Sequence, residues 1–491
     1  MTGDFHKETE VRKTLFSTAL ALALALSPAL GTLAATIVQI SEDRYNNPSS
    51  QHQTQVEPDS FAFGSTVVAT FQTGRFFDGG ASNVAWATSL DGGATWTDGD
   101  LPGTTVNSTP PGPYDRVSDP TVAYDAEHDV WIISTLGMDG TTGVAVLASR
   151  STDGGLTWDN PVVISSKPSG FYDKNWIVCD NTPASPFYGN CYATWDDAYL
   201  GNRLLNSTST DGGLTWGPKR TTANNASGIG AQPLVQPNGR VIVPVANAFG
   251  SNLMVYASIN GGATWVRTRN ISSVNSHSVA GGLRAPTYLA SAEVDAAGKI
   301  YLVWASCRFR SGCSSNDLVM TTSTNGRNWT PVVRIPIDAV TSGVDHFIPG
   351  IAVDRNTSGA TARLALTYYF YPDASCTSAT CELMVGWISS ADGGTTWSTP
   401  ETLAGPITLS WIANTTQGRM VGDYISTSFT GEAVGIFSNA FAPSGGVFDQ
   451  ASFASVSPVT HDALYPLAVR EDPVLSFASD HPVPTSPIVT P

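Results

Sequence analysis

Ser89 to Trp96 reads SLDGGATW, and the same octapeptide returns with small changes: STDGGLTW from Ser151 and again from Ser209, SINGGATW from Ser258, STNGRNW from Ser323 and SADGGTTW from Ser390. A short motif recurring roughly every 50–70 residues marks a stacked or radial array, each copy belonging to one supersecondary unit. The chemistry inside the motif is local. Asp91, Asp153, Asp211 and Asp392 are placed to accept backbone N–H bonds within a turn, the glycine pair permits positive φ, and Trp96, Trp158, Trp216, Trp265 and Trp397 supply aromatic bulk to pack between neighbouring sheets. The fifth copy is one residue shorter and carries Asn325 where Asp is expected, and the fourth carries Asn260. A neutral amide makes the same turn, so these aspartates read as structural and not as a catalytic set.

Upstream of each copy lie two apolar runs separated by a turn: PTVAYD and VWIISTL, NWIVCD and CYATW, PLVQP and RVIVPVA, SAEVDA and KIYLVWA, PGIAVD and RLALTYY. Each pair reads as the two innermost strands of a small antiparallel sheet. A further pair, YISTSF and AVGIF, follows the sixth motif, with VFDQASFASV as its third strand. The expected fold is all-β, a single propeller over 36–470 with seven blades, the last completed by the N-terminal segment TIVQIS; six blades is the alternative. Closure removes the sheet edges that an open array exposes. The Pro-rich stretch 471–491 reads as an irregular tail.

Arg12 and Lys13 precede the apolar run Leu15 to Leu26, then Ser27, Pro28 and small residues through Ala35. This is the layout of a secretory signal peptide over 1–35, and the run is shorter than the ~20 apolar residues that span a bilayer. Export predicts an extracellular, monomeric protein with no membrane partner after processing. Six cysteines fall as near neighbours, Cys179 with Cys191, Cys307 with Cys313 and Cys376 with Cys381, which suggests three local disulfides in an oxidising compartment. Lys plus Arg total 25 against 41 Asp plus Glu, a net charge of -16, which repels phosphate backbones and argues against a nucleic-acid partner. No Cys/His cluster has zinc spacing, so no cofactor is expected, although Asp-rich turns leave room for structural calcium.

In a propeller the starts of the innermost strands ring the mouth of a central funnel. Those starts carry Asp59, Asp119, Asp173 with Lys174, Gln232, Arg284, Asp345 with His346, and Asp423 with Tyr424. Any one of them is explained by a strand end facing water. Together they mark a wet, concave ligand site. Glu293, a carboxylate inside the apolar strand LASAEVDAAG, must be partnered or functional, because burying it alone is costly.

The octapeptides match the Asp box, and the chain resembles the sialidase (neuraminidase) superfamily of BNR-repeat propellers. GRMVGDYISTSFTGEAVGIF, from Gly418, is similar to the segment that carries the family's catalytic tyrosine, which makes Tyr424 the nucleophile by that likeness. A phenol needs a carboxylate to take its proton at neutral pH, and Glu293 is the candidate base. GRFFDGGASNVAWATSLDGGATW, from Gly74, is similar to the stretch before the family's first Asp box, which implies that Arg75 contacts substrate and Asp78 is the general acid. The resemblance further implies an arginine triad, with Arg116, Arg284 and Arg419 as candidates to hold a substrate carboxylate. One departure stands out: where the family opens its first blade with Phe/Tyr-Arg-Ile-Pro, this chain has VEPDSFAFG, and the only similar string, VRIPID around Arg334, reads as an outer strand.

The leading expectation is a secreted glycoside hydrolase that removes terminal, acidic, sialic-acid-like sugars from extracellular glycans. A polysaccharide lyase acting on uronic-acid polymers is the alternative, with His346 or Tyr424 as base and Arg284 or Arg419 neutralising the uronate. A carbohydrate-binding propeller without catalysis is the third, since a fold hosts many functions.

Overall fold

The computed structural model describes residues 36–457 and 465–466; the expected signal segment 1–35 and the tail 471–491 lie outside the described residues. The architecture is all-β and propeller-like. Its strands fall into antiparallel units that follow one another along the chain. Their first strands are Val56–Phe63, Arg116–Asp125, Tyr172–Cys179, the split pair Gly228–Ile229 and Leu234–Val235, then Ser291–Val294, Asp345–Val353 and Ser426–Thr430. The first two units join into one sheet through the pairing of Ala81 with Val117. The last unit is completed from the other end of the chain, where Ile37–Gln39 runs antiparallel to Val447–Ser457.

First strands of successive units lie side by side, and Ser426–Thr430 returns against Val56–Phe63. Side chains tie the neighbours: Ser60 Oγ lies 2.9 Å from the hydroxyls of both Ser426 and Ser428, and Asp59 Oδ2 accepts the Val122 N–H at 2.9 Å. Gln232 Nε2 donates to the Ala292 carbonyl at 3.1 Å, and the Ile351 N–H donates to Ser291 Oγ at 3.0 Å. Because each unit is covered on both faces by its neighbours, second strands such as Val130–Asp139 and Ile300–Ser306 are buried over nearly their whole length and are apolar rather than alternating. Trp195, Trp304, Trp387 and Trp397 are among the largest fully buried side chains.

The Asp boxes form at the end of the third strands. In the first, Ser89 Oγ accepts the Gly93 N–H at 2.8 Å, Asp91 Oδ1 accepts the Thr95 N–H at 2.8 Å, and Trp96 Nε1 donates to the Gly93 carbonyl at 3.0 Å. Gly93 has φ 95°, and a Cβ there meets Val456 Cγ2 at 3.0 Å, so the position admits only glycine without rearrangement. Asn260 and Asn325 accept the corresponding backbone N–H groups in the fourth and fifth boxes. Thr95 bonds hold the Asp91 carboxyl down to about 2. The Asp91 carboxylate is thus engaged within its own turn. Disulfides join Cys179 to Cys191, Cys307 to Cys313 and Cys376 to Cys381. Among the described residues no helix is long and apolar enough to cross a membrane.

Candidate functional site

Four first strands carry a β-bulge near their start, where pairing slips between Val56 and Asp59, Ser118 and Thr121, Asp173 and Trp176, and Phe347 and Gly350. Each slip holds one non-glycine residue in the left-handed region: Glu57 at φ 54°, Asp119 at 49°, Lys174 at 46° and Ile348 at 48°. A bulge re-aims a side chain, and left-handed φ on such residues is strain that clusters at functional positions. In the first three units the re-aimed side chains are charged, and they meet.

Lys174 Nζ is the hub. It lies 2.6 Å from Asp423 Oδ2, 3.1 Å from Asp119 Oδ2 and 3.6 Å from Glu57 Oε1. Arg284 grips Asp423 with both Nε, at 2.6 Å from Oδ1, and Nη2 on Oδ2. Glu57 accepts from Gln72 Nε2, Gln72 Oε1 accepts from Arg75 Nη1 at 3.3 Å, and the Asp423 N–H donates to Glu57 Oε1 at 3.4 Å. Three carboxylates therefore face three cations, and every one of these six side chains is buried or nearly so. Such a balanced set is how an acidic chain buries charge, and removing one member leaves the rest uncompensated.

The surroundings push the carboxyls apart. Burial drives Glu57 up, helped by Asp119 and Asp423 and opposed by Lys174. Burial also acts to raise Asp423, but Arg284 and Lys174 outweigh it and hold that carboxyl below the usual range. Lys174 is penalised by burial yet raised by Asp119, Asp423 and Glu57, so it stays charged. Burial and the neighbouring Arg284 bring Arg75 down to about 10. Opposite Asp173 in the ladder, Asp196 is pushed up by burial and then by Asp173 itself.

From this cluster a narrow space runs between the first strands, past Asp59, Trp176, Gln232 and Ser426, to Glu293 and Arg355. Burial pushes Asp59 up to about 7, against the bonds it accepts from Val122 and Ser60. The hairpin of Asn414–Thr415 and Gly418–Arg419 lies at the cluster end, its Thr416 N–H on the Phe77 carbonyl at 2.9 Å and its Arg419 carbonyl accepting the Arg284 N–H at 2.8 Å.

The residues singled out from sequence are distributed as follows. Arg75, Asp119, Arg284 and Asp423 belong to the cluster, and Asp173 adjoins it through Lys174. Tyr424 is buried beside it, edge-on to Trp176, but its hydroxyl donates to the Pro120 carbonyl at 3.0 Å, and burial followed by Glu57, Asp119, Asp59 and Asp423 pushes the phenol well up. Those surroundings oppose an attacking phenolate. Glu293 does not reach Tyr424; it pairs with Arg355 at 3.1 Å, at the far end of the space. Asp78 is half exposed and pairs with Arg116 at 2.5 Å, a bond that lowers its carboxyl and keeps it ionised, the opposite of what an acid needs. Arg116 in turn stacks over Phe76 at 4.0 Å. Arg419 donates to the Ile412 carbonyl at 2.5 Å, so the structure does not gather Arg116, Arg284 and Arg419 on one point. His346 lies apart, its Nδ1 3.1 Å from the Asn316 carbonyl and its ring stacked on Phe370; burial lowers it. Near it, Asp317 and Asp338 are engaged by Arg310 and Arg334.

Glu57 and Gln72 were missed from sequence, where VEPDSFAFG drew attention through Asp59 and through the arginine motif it lacks. A usable signal was there: Glu57-Pro58, Asp119-Pro120, Gln232-Pro233 and Ile348-Pro349 repeat the same dipeptide form at the start of an inner strand.

A family model described as the BNR repeat-like domain matches residues 138–348. Over 162 residues the chain is 32% identical to a sialidase of Micromonospora viridifaciens, covering 26% of this chain and 25% of that protein. Over these stretches the chain is similar to BNR-repeat proteins and to a sialidase. It is also 29% identical over 208 residues to a xyloglucanase of a Paenibacillus species, covering 39% of this chain and 19% of that one. The chain thus spans a quarter or less of the length of these curated relatives. Among solved structures it is similar to the leech intramolecular trans-sialidase, at 13% identity and a TM-score of 0.46 over 74% of this chain and 70% of that chain. It is likewise similar to an ulvan lyase, at 11% identity and 0.49 over 86% and 96%.

Proposed function

We propose that this BNR-repeat protein is a secreted, glycan-active enzyme, a seven-bladed propeller whose chemistry takes place at the bulge-built cluster. The observation that carries the reading is the pair of opposite environments around one ammonium, with Glu57 pushed toward its protonated form and Asp423 held ionised. Two carboxyls driven apart in this way are the mark of an acid and its charged partner. In a hydrolysis, Glu57 hands its proton to the leaving glycosidic oxygen as the C–O bond breaks. Asp423 stabilises the positive charge that develops on the sugar ring, and a water that gives its proton to Asp119 completes the bond to the anomeric carbon. In this assignment Tyr424 shapes the wall, and Glu293 acts elsewhere. Terminal acidic sugars are the first substrates to test, because the cluster includes the guanidinium groups of Arg75 and Arg284, and xyloglucan is the second.

A binding role without turnover is the second reading, favoured by the fact that Glu57, Asp119 and Asp423 are already paired with Lys174 or Arg284. Mass spectrometry of products from sialylated glycans, xyloglucan and uronic-acid polysaccharides, with wild type beside Glu57→Gln, separates the readings. Hydrolysis by the wild type, reduced at least 100-fold in Glu57→Gln, supports the assignment. Unsaturated uronate products move the protein to the lyases, and binding without any product supports the second reading.

A further inference from the structure

Among the described residues five aromatic side chains are more than a third exposed: Phe63, Phe77, Tyr199, Phe249 and Phe441. Their placement is uneven. Phe77, Tyr199, Phe249 and Phe441 all lie on or beside the turn between the second and third strands of their units, at the end that holds the charged cluster, and only Phe63 lies at the other end. Single exposed apolar residues need no explanation, but a set on one rim is a candidate contact surface.

Tyr199 is the best built of them. It is 62% exposed, and the adjacent Leu200 is 51% exposed. Their turn, Ala198–Leu200, is fixed from beneath by Asp197, which is 1% exposed: Oδ1 accepts the N–H groups of Tyr199 at 3.2 Å and Phe171 at 3.3 Å, and Oδ2 accepts from Lys167 Nζ at 2.8 Å. The Ala198 N–H adds a bond to the Phe171 carbonyl at 2.7 Å, and the Tyr199 ring stands edge-on to Phe171, centroids 5.5 Å apart. Phe171 lines the same cavity as Glu57, Asp119 and Lys174. A buried carboxylate thus fixes the backbone turn that presents an exposed, amphipathic ring at the lip of the charged site. Rigid aromatic surface with a polar edge takes a flat apolar face flanked by hydroxyls at little entropic cost, and a pyranose ring is such a face.

We infer that Tyr199, backed edge-on by Phe171, forms a stacking subsite for a sugar residue outside the reacting one, and that the ligand is a polysaccharide chain lying across this rim and not only a terminal sugar. The inference rests on the glycan-directed reading above. It is tested with the full chain by isothermal titration against each polymer of that panel and against a trisaccharide of the same composition, for wild type, Tyr199→Ala and Tyr199→Phe. Tyr199→Ala is expected to weaken polymer binding about five- to tenfold, and the trisaccharide much less, while Tyr199→Phe keeps most of the affinity. Equal polymer affinity in wild type and Tyr199→Ala overturns the subsite while leaving the proposed function in place. Loss of self-association in Tyr199→Ala, with polymer binding intact, assigns the ring to a second copy and also overturns it. A wild type that neither binds nor cleaves any member of the panel overturns the proposed function itself.

Discussion

The two ends of the units solve the problem of a polar loop in different ways. At the Asp-box end each carboxylate is bound by donors of its own turn, as Asp153 Oδ1 takes the N–H groups of Leu156 and Thr157 at 3.1 and 2.9 Å. At the cluster end each carboxylate is bound by residues from distant parts of the chain, as Asp423 takes Arg284 and Lys174. The first arrangement is modular, and any copy can change without the others. The second is shared, so its members stand or fall together. Independent copies at one end and mutual dependence at the other follow from that difference.

The largest expected effect comes from removing the shared member. Lys174→Met leaves Glu57, Asp119 and Asp423 facing one another with one of their three cations gone, and is expected to lower unfolding free energy by about 3–5 kcal/mol in urea titration at pH 7. A loss below about 1 kcal/mol breaks the claim that the cluster is held as one network.

Next comes a pH effect in the wall of the axial space. Asp59 has a carboxyl raised to about 7 in the fold, above its unfolded value. For a raised group the folded state binds the proton more tightly, so its contribution to stability is fully present below the unfolded pKa and is lost as pH rises through about 7. Asp59→Asn keeps an oxygen for the Val122 N–H and removes the titration, so the slope of melting temperature between pH 4 and 8 is expected to flatten. A mutant slope as steep as the wild type places the proton elsewhere. The smallest effect sharpens the contrast: Asp392→Asn is expected to leave the melting temperature unchanged, since Asn260 and Asn325 already serve in the same turn. A marked drop shows that the boxes are not interchangeable.

The same contrast explains what was legible in the sequence. The boxes announce themselves because their bonds join residues four or fewer apart, and the all-β layout, the paired inner strands and the N-terminal strand added to the last unit follow from that period. The cluster has no period. Glu57 meets Asp423 across the whole chain, and nothing local marks it except a proline behind it. Glu293 looked functional as a lone carboxylate in an apolar strand, yet its partner Arg355 arrives from the next unit. Asp78 and Arg116 were read as two separate roles, and the fold makes them one pair. Sequence spacing supplies the frame, whereas the left-handed bulges decide which side chains turn inward.

Ile348 carries a further consequence. A β-branched residue is the least willing occupant of left-handed backbone, yet it sits at φ 48° in the same bulge that presents Glu57, Asp119 and Lys174. The socket is therefore imposed by the surrounding sheet and not chosen by its tenant. For protein engineering this makes the sockets interchangeable ports: acids, bases or metal-binding side chains exchanged among them inherit a fixed aim toward the axis, and new reactivity can be written there without redrawing the scaffold.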